Sequence, residues 1–308
     1  MASRRPKFVI VLAGGKGTRM RSAERHKVCF PIDGRPAINR ALDVYRDAGI
    51  TQPIVVVGAM SDQVMETVSA EHDGAIYVYQ AEQLGTGHAA RLGARALAAL
   101  GHDEEVLLVA GDRLIEPIAL ERLIDRFYTE DCDLAFMVGP RGPRSEQGRV
   151  IVDAPGAVVA NVEMRDVHRR RALRLLRARA QETPPPTRQE ARAILLENLD
   201  EKRAAVAFGD LWTALTDAAA EPSAADYLAW IPEEATRFCF PRPDGADLVM
   251  APDEVAEAQY VNVSVYLARA SALSHALENL NRDNAQHEEY LSDIINILAQ
   301  GQRPAGVP

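Results

Sequence analysis

Phe8-Val9-Ile10-Val11-Leu12-Ala13-Gly14-Gly15-Lys16-Gly17-Thr18-Arg19-Met20 is the stretch on which the fold turns. Phe8–Leu12 is an unbroken apolar run ending at glycine, which reads as a strand covered on both faces. Glycines directly after such a strand let the backbone turn tightly and present N–H groups to an anion. Lys16 and Arg19 add positive charge where a polyphosphate would sit, although a plain glycine turn uses the same residues. Spacing excludes two familiar phosphate loops. A Walker loop needs Gly-Lys-Ser/Thr, whereas Gly17 is followed by Thr18-Arg19; a dinucleotide fingerprint needs a third glycine where Met20 stands. Arg4, Arg5 and Lys7 before the run resemble a secretory leader, but the run is short and leads into glycines, not a cleavage site.

Outward from this stretch, strand and helix patterns alternate through residues 1–140. Apolar runs at Phe8–Leu12, Pro53–Val57, Ala75–Tyr79, Val106–Ala110 and Leu134–Val138 are separated by helical spacing at Pro36–Ala48, Asp62–Ala70, His88–Leu100 and Pro117–Phe127. This pattern predicts an α/β fold, a Rossmann-like, mostly parallel sheet with right-handed crossovers. Gly148–Asp153 and Ala157–Glu163, split by Pro155-Gly156, read as a hairpin. Residues 165–257 turn Arg- and Ala-rich with helical spacing, and Thr187-x-x-Glu190 fits a capping box. The β pattern resumes at Tyr260–Leu267, and helices are expected at Ala270–Leu280 and His287–Leu298. The organisation expected is therefore a core of residues 1–164 and 258–308 carrying a mainly helical insertion, 165–257.

Composition narrows the function. The 308 residues carry 35 Lys+Arg against 44 Asp+Glu, a net charge of −9, with 47% hydrophobic and 26% charged residues. That balance argues against nucleic-acid coating, which needs a basic surface. The apolar runs are far shorter than the ~20 residues of a membrane-spanning helix. Cys29, Cys132 and Cys239 are odd in number and widely spaced, so neither a disulfide framework nor a metal quartet is expected. A reducing, cytoplasmic setting follows as the expectation.

Four motifs in order resemble the sugar-1-phosphate nucleotidyltransferases, and most closely the uridyltransferase domain of N-acetylglucosamine-1-phosphate uridyltransferase. They are Leu12–Met20 with Lys27 following, Gln80-Ala81-Glu82-Gln83-Leu84-Gly85-Thr86-Gly87-His88-Ala89, Gly111-Asp112, and Asn284-Ala285-Gln286-His287-Glu288-Glu289-Tyr290-Leu291-Ser292-Asp293. The resemblance covers residues 7–165 and 258–300 and implies the nucleotidyltransferase (GT-A-like) form of the sheet. It also implies attack by a sugar-1-phosphate oxygen on the α-phosphorus of an NTP, UTP above all, with pyrophosphate leaving. The attacking phosphate is already ionised at neutral pH, so positioning and charge neutralisation suffice.

Carried over by motif, Leu12, Ala13, Gly14, Gly15, Gly17 and Thr18 would hold base and phosphates, with Gln80, Gln83, Gly85 and Thr86 reading the uracil edge. Arg19 would offset charge on the transferring and leaving phosphates, and Lys27 would bridge the α-phosphate and the incoming phosphate. Lys16 is left between pyrophosphate solvation and no role. Asp112 would hold Mg²⁺, a position at a strand end that also suits a helix cap. Gly148, Glu163 and Asn262 would contact the sugar, although Glu163 and Asn262 also read as ordinary polar strand residues.

The chain departs from the family pattern in places. His26 replaces the usual proline before Lys27, and Ala110 stands where an aromatic residue is common. Tyr260-Val261-Asn262-Val263-Ser264 replaces Glu-Ile-Asn-Thr-Gly, and the position of a second asparagine metal ligand falls beyond Pro308. Arg165, Arg169, Arg170, Arg171, Arg174, Arg177 and Arg179 form a cationic helix, either a solvated face or a lid for an unusual phosphorylated acceptor. Small-molecule NTP and sugar-1-phosphate partners are expected, without nucleic acid or membrane, and self-assembly into a homo-oligomer is left open. A different NTP or acceptor, or a regulatory subunit that binds nucleotide-sugar with weakened catalysis, stay as alternatives.

Overall fold

β1 (Phe8–Ala13) is buried along its whole length. Val9, Val11 and Ala13 face one layer of helices, while Phe8, Ile10 and Leu12 face the other. This double burial is why the run is uninterrupted by polar residues. The computed structural model describes residues 4–15, 24–143, 145–154, 156–197, 199–217, 220–242 and 245–301.

After β1 come a small antiparallel pair, β2 (Pro31–Ile32) and β3 (Arg35–Pro36), then α1 (Ala37–Asp47), β4 (Gln52–Val57), α2 (Ser61–Ser69), β5 (Ile76–Tyr79) and α3 (Thr86–Ala99). β6 (Glu105–Ala110), α4 (Pro117–Thr129) and β7 (Leu134–Pro140) follow, then β8 (Arg149–Val152) and β9 (Val158–Val162). Next lie α5 (Met164–Ala180), α6 (Arg188–Leu195), α7 (Glu201–Asp217), α8 (Ala224–Trp230), β10 (Phe238–Phe240), β11 (Leu248–Met250) and α9 (Pro252–Ala256). β12 (Tyr260–Arg269), α10 (Ala270–Glu278) and α11 (Asp293–Gly301) end the described chain.

The central sheet runs β5-β4-β1-β6-β12-β8-β9, with β7 also paired to β12. β5, β4, β1 and β6 are mutually parallel, and β12 enters antiparallel beside β6. The α/β sheet expected from the alternation is thus present, with an antiparallel half added by the later strands. α1, α2 and α4 cover one face; α3, α10 and α11 cover the other. Chain order reverses across β1, with β4 to one side and β6 to the other. The crevice at such a switch point, outside the carboxyl ends of the strands, is where open α/β sheets bind ligands. Gly14-Gly15 follow β1 and Gly111-Asp112 follow β6, and the Gly111 N–H donates to the Leu12 carbonyl at 2.9 Å.

A separate core joins α5 to α8. Leu173, Leu176 and Ala180 point into it, with Trp212 and the fully buried Tyr227. The Thr187–Glu190 capping box opens α6 in the predicted form. Two features in this half were not read from the sequence. Phe238–Phe240 and Leu248–Met250 pair antiparallel as β10 and β11, unread because three-residue strands carry almost no periodicity. The last helix begins at Asp293, not His287. Among the described residues no helix is long and apolar enough to cross a membrane.

Candidate active site

The strand ends converge on a cleft of about 420 Å³. Leu12, Gly14, Gly15, Lys27, Gln80, Gln83, Gly85, Thr86 and Glu163 all line it. Ala13 is fully buried behind the first turn. Arg19, Lys16, Gly17 and Thr18 lie outside the described residues.

Lys27 Nζ stands 2.9 Å from Asp112 Oδ2, both side chains partly open to solvent. Burial pushes the Asp112 carboxyl up, but Lys27 and Arg113 outweigh it and hold it below the usual carboxylate range. Asp112 is therefore a charged carboxylate at neutral pH, paired with a cation at the mouth of the switch point. His26, the replacement for proline, sets this geometry. Its Nε2 lies 2.8 Å from the Gly15 carbonyl, and its Nδ1 accepts from the Val28 N–H. A carbonyl only accepts, so Nε2 carries the proton and the ring is the neutral Nε2–H tautomer. Burial pushes its pKa down, consistent with that state. The imidazole thus ties the turn after β1 to the 3-10 turn Lys27–Cys29 that carries Lys27.

At the other end of the cleft floor, the Gln80–Thr86 loop is zipped to residues 284–291. The Glu289 N–H donates to Leu84 O, and Gly87 N–H donates to Glu289 O. Thr86 Oγ1 accepts the Leu291 N–H at 3.1 Å. Gly85 has φ +116°, and a Cβ there would stand 2.4 Å from Glu289 O. Only glycine fits this approach. Gln80 is almost fully buried and donates from Nε2 to the Gly85 carbonyl. Glu289 is gripped by Arg91 at 2.7 Å and Arg282 at 3.1 Å. Burial raises its pKa, and the two guanidinium hydrogen bonds more than reverse that.

The third wall is built around Glu163, just before α5. Its Oε1 accepts from Ser292 Oγ at 2.7 Å. Gly148 lies beside it: a Cβ there would come within 2.9 Å of Glu163 Oε1 and the Asn161 amide. Asn262 is buried and does not line the cleft. Its Nδ2 donates to Tyr266 Oη at 2.8 Å and its Oδ1 accepts the Ser264 N–H. That turn holds Ser264 at φ +60° and accompanies the register shift between Asn262 and Tyr266. Such a bulge re-aims side chains, and Ser264 and Tyr266 line the cleft where Asn262 does not.

Residues that sequence reasoning left without a role also line this wall: Arg165, Gln286, Glu288, Tyr290 and Ser292. Tyr290 is almost fully buried with its hydroxyl unpartnered among the described residues. Four of the five lay inside the quoted Asn284–Asp293 motif, which was the available signal. Behind them, Asp166 accepts the Ala285 N–H at 2.7 Å. Burial pushes Asp166 up to about 6; burial, then Asp166 and Glu163, push Asp293 up to about 7.

The family model described as the MobA-like NTP transferase domain matches residues 9–288. The chain belongs to the MobA-like NTP transferase family. The bifunctional protein GlmU of Lactococcus lactis is 37% identical over 163 residues, 53% of this chain and 34% of that protein. The bifunctional protein GlmU of Pseudomonas aeruginosa is 39% identical over 160 residues, 51% of this chain and 33% of that protein. The chain thus spans about a third of the length of those two relatives. Among solved structures, a UDP-glucose pyrophosphorylase complexed with UDP-glucose superposes with a TM-score of 0.56 at 14% identity, over 97% of this chain and 89% of that one. That likeness is one of fold. The resemblance drawn from the four motifs is upheld by these relatives.

Proposed function

We propose that the chain transfers a uridylyl group from UTP to a sugar-1-phosphate, N-acetylglucosamine-1-phosphate being the first candidate, and releases pyrophosphate. The observation that carries this reading is the Lys27–Asp112 pair at 2.9 Å. Lys27 lines the same cleft as Gln80, Gly85, Thr86 and Glu163, so one cation would face both the nucleotide and the acceptor. In the reaction, an ionised oxygen of the sugar phosphate bonds to the α-phosphorus. The bond from that phosphorus to the oxygen bridging to the β-phosphate breaks, and pyrophosphate leaves with the electron pair. No proton moves, so no general base is required.

Lys27 would bridge the α-phosphate and the incoming phosphate, holding two anions close enough to react. His26 keeps it there. Gly14 and Gly15 allow the nucleotide to approach the backbone, and Gln80 with Gly85 and Thr86 would read the base. Glu163, with Ser292 behind it, would accept from sugar hydroxyls. Among the described residues no three His, Cys, Asp or Glu side chains gather into a metal-holding group. The donor set is one charged, half-open carboxylate, Asp112, and that fits Mg²⁺, which takes few protein oxygens and completes its shell with phosphates and water. When bound, Mg²⁺ neutralises phosphate charge during the transfer.

A related acceptor is the second reading, favoured by Asn262. Its amide is engaged by Tyr266 and Ser264 and is not free for an acetamido group. The test is pyrophosphate release with Mg²⁺, each NTP being paired with N-acetylglucosamine-1-phosphate and glucose-1-phosphate. Release with UTP and N-acetylglucosamine-1-phosphate at the highest kcat/KM supports the first reading. Preference for another pair supports the second; no release with these pairs overturns the first, and no release with any sugar-1-phosphate overturns both.

A further inference from the structure

Beyond the acceptor wall, the cleft continues into a second hollow of about 160 Å³ between the start of α5, the loop before Tyr290 and the first turns of α7. Arg165, Gln286 and Glu288 line both cavities. The hollow has an apolar floor that includes Leu199 and Val206, and its cations are Arg165, Lys202 and Arg203. Val206 is 41% exposed, so the apolar floor is reachable from solvent.

The charges of α5 show why this spot differs from a solvated helix face. Arg170 donates to the Glu234 and Arg237 carbonyls, and Arg177 to the Leu228 and Ile231 carbonyls. Arg171 and Arg174 pair with Asp253, and Arg179 reaches Pro184 O and Glu182. These arginines fasten the insertion together. Arg165 does none of this: among the described residues neither it nor Lys202 forms an ion pair. Arg203 has Asp200 at 3.4 Å, both exposed, and Glu288 is the hollow's carboxylate, its pKa raised by burial and lowered by Arg165. The charge left over is positive.

The hollow is also fixed in place. Asn284 Oδ1 accepts the N–H groups of Gln286 and Glu288, and His287 Nε2 lies 3.0 Å from the Val206 carbonyl. The loop that lines the acceptor wall is thereby bound to α7. An apolar floor edged by Arg165 and Lys202, neither in an ion pair among the described residues, suits an anion on a short apolar arm, and Arg165, Gln286 and Glu288 join the hollow to the Glu163–Tyr290 cleft.

We infer that the acceptor is a sugar-1-phosphate bearing a second anionic group, carboxylate or phosphate, which this hollow receives. The inference rests on the proposed transfer reaction and specifies the acceptor of its second reading. The test is calorimetric binding of glucose-1-phosphate, glucose-1,6-bisphosphate, glucuronic acid 1-phosphate, 3-O-carboxymethylglucose-1-phosphate and inorganic phosphate. It is run on the full chain and on the Lys202→Glu, Arg203→Glu double variant, whose positions are solvent-exposed on α7. At least one doubly anionic sugar is expected to bind 10-fold or more tighter than glucose-1-phosphate, and the double variant is expected to bring that ratio within twofold of unity. Equal binding of glucose-1-phosphate and the doubly anionic sugars, or a preference that survives the charge reversal, overturns the inference. Inorganic phosphate binding as tightly as the sugars, and lost in the variant, overturns it in favour of a free-anion site. Pyrophosphate release is measured alongside: silence with every acceptor sinks the transfer reaction, while the binding ratios still decide the hollow.

Discussion

Single side chains carry the chemistry proposed here, and their changes should separate binding from folding. Lys27→Ala and Asp112→Asn each remove one member of a pair at the reacting centre, and should lower kcat/KM by about 10²–10³. Both groups are partly solvent-exposed, so melting temperatures should stay near that of the parent; a large drop in Tm would assign the pair to structure. Asp293 makes the opposite kind of contribution. Its carboxyl rises from 3.8 to about 7 in the folded chain. The folded state therefore keeps a proton that the unfolded chain has lost, and stability declines as pH rises from about 4 to about 7. Asp293→Asn should melt above the parent at pH 8 and converge with it as pH falls to about 4, in thermal scans across pH. Parallel curves would refute this. At this scale the sequence was partly legible. Lys27, Asp112 and Glu163 were named by motif and reach the cleft or its mouth. Asn262 was named the same way, but whether an amide is free depends on a bulge and a tyrosine hydroxyl, and neither has a linear signature.

The elements matter through how their ends meet. Gly85 opens α3 with φ +116°, pressed against the Glu289 backbone. Gly85→Ala should cost roughly 1–3 kcal/mol in backbone strain alone and raise the KM for the nucleotide well above that for the acceptor. Chemical denaturation and steady-state kinetics measure the two effects. Unchanged stability would mean the loop relaxes freely. The long parallel strands and their crossover helices were readable because period and length agree over many residues. The helix expected from His287 was not, because its first turn is pre-empted: Asn284 captures the N–H groups of Gln286 and Glu288, and His287 sits at φ +53°. Side-chain competition for backbone donors overrides apolar spacing there. The β10–β11 pair stayed hidden for want of length.

Across the whole molecule, the helices of residues 165–257 are built into the wall of the cleft. Ala285, from the site loop, is buried in the same core as Leu176, Trp212 and Tyr227. Trp212→Ala should destabilise by about 3–5 kcal/mol, and below its melting temperature should raise the acceptor KM more than the nucleotide KM. Kinetics at 10 °C on the folded variant read this, and equal effects on both constants would argue that the insertion stands apart. Residues 284–292 have a further consequence. The same short segment is bonded to the Leu84–Gly87 stretch through Glu289 and Leu291, to α5 through Ala285, and to Glu163 through Ser292. Whatever ordering one substrate imposes on this segment is ordering the other need not supply. Thermodynamic linkage then makes the two affinities rise together and by the same factor. Titrating the acceptor with and without a non-hydrolysable nucleotide, and the reverse, should return one coupling constant greater than one, making the reaction one of cooperative assembly on a shared hinge between base and sugar.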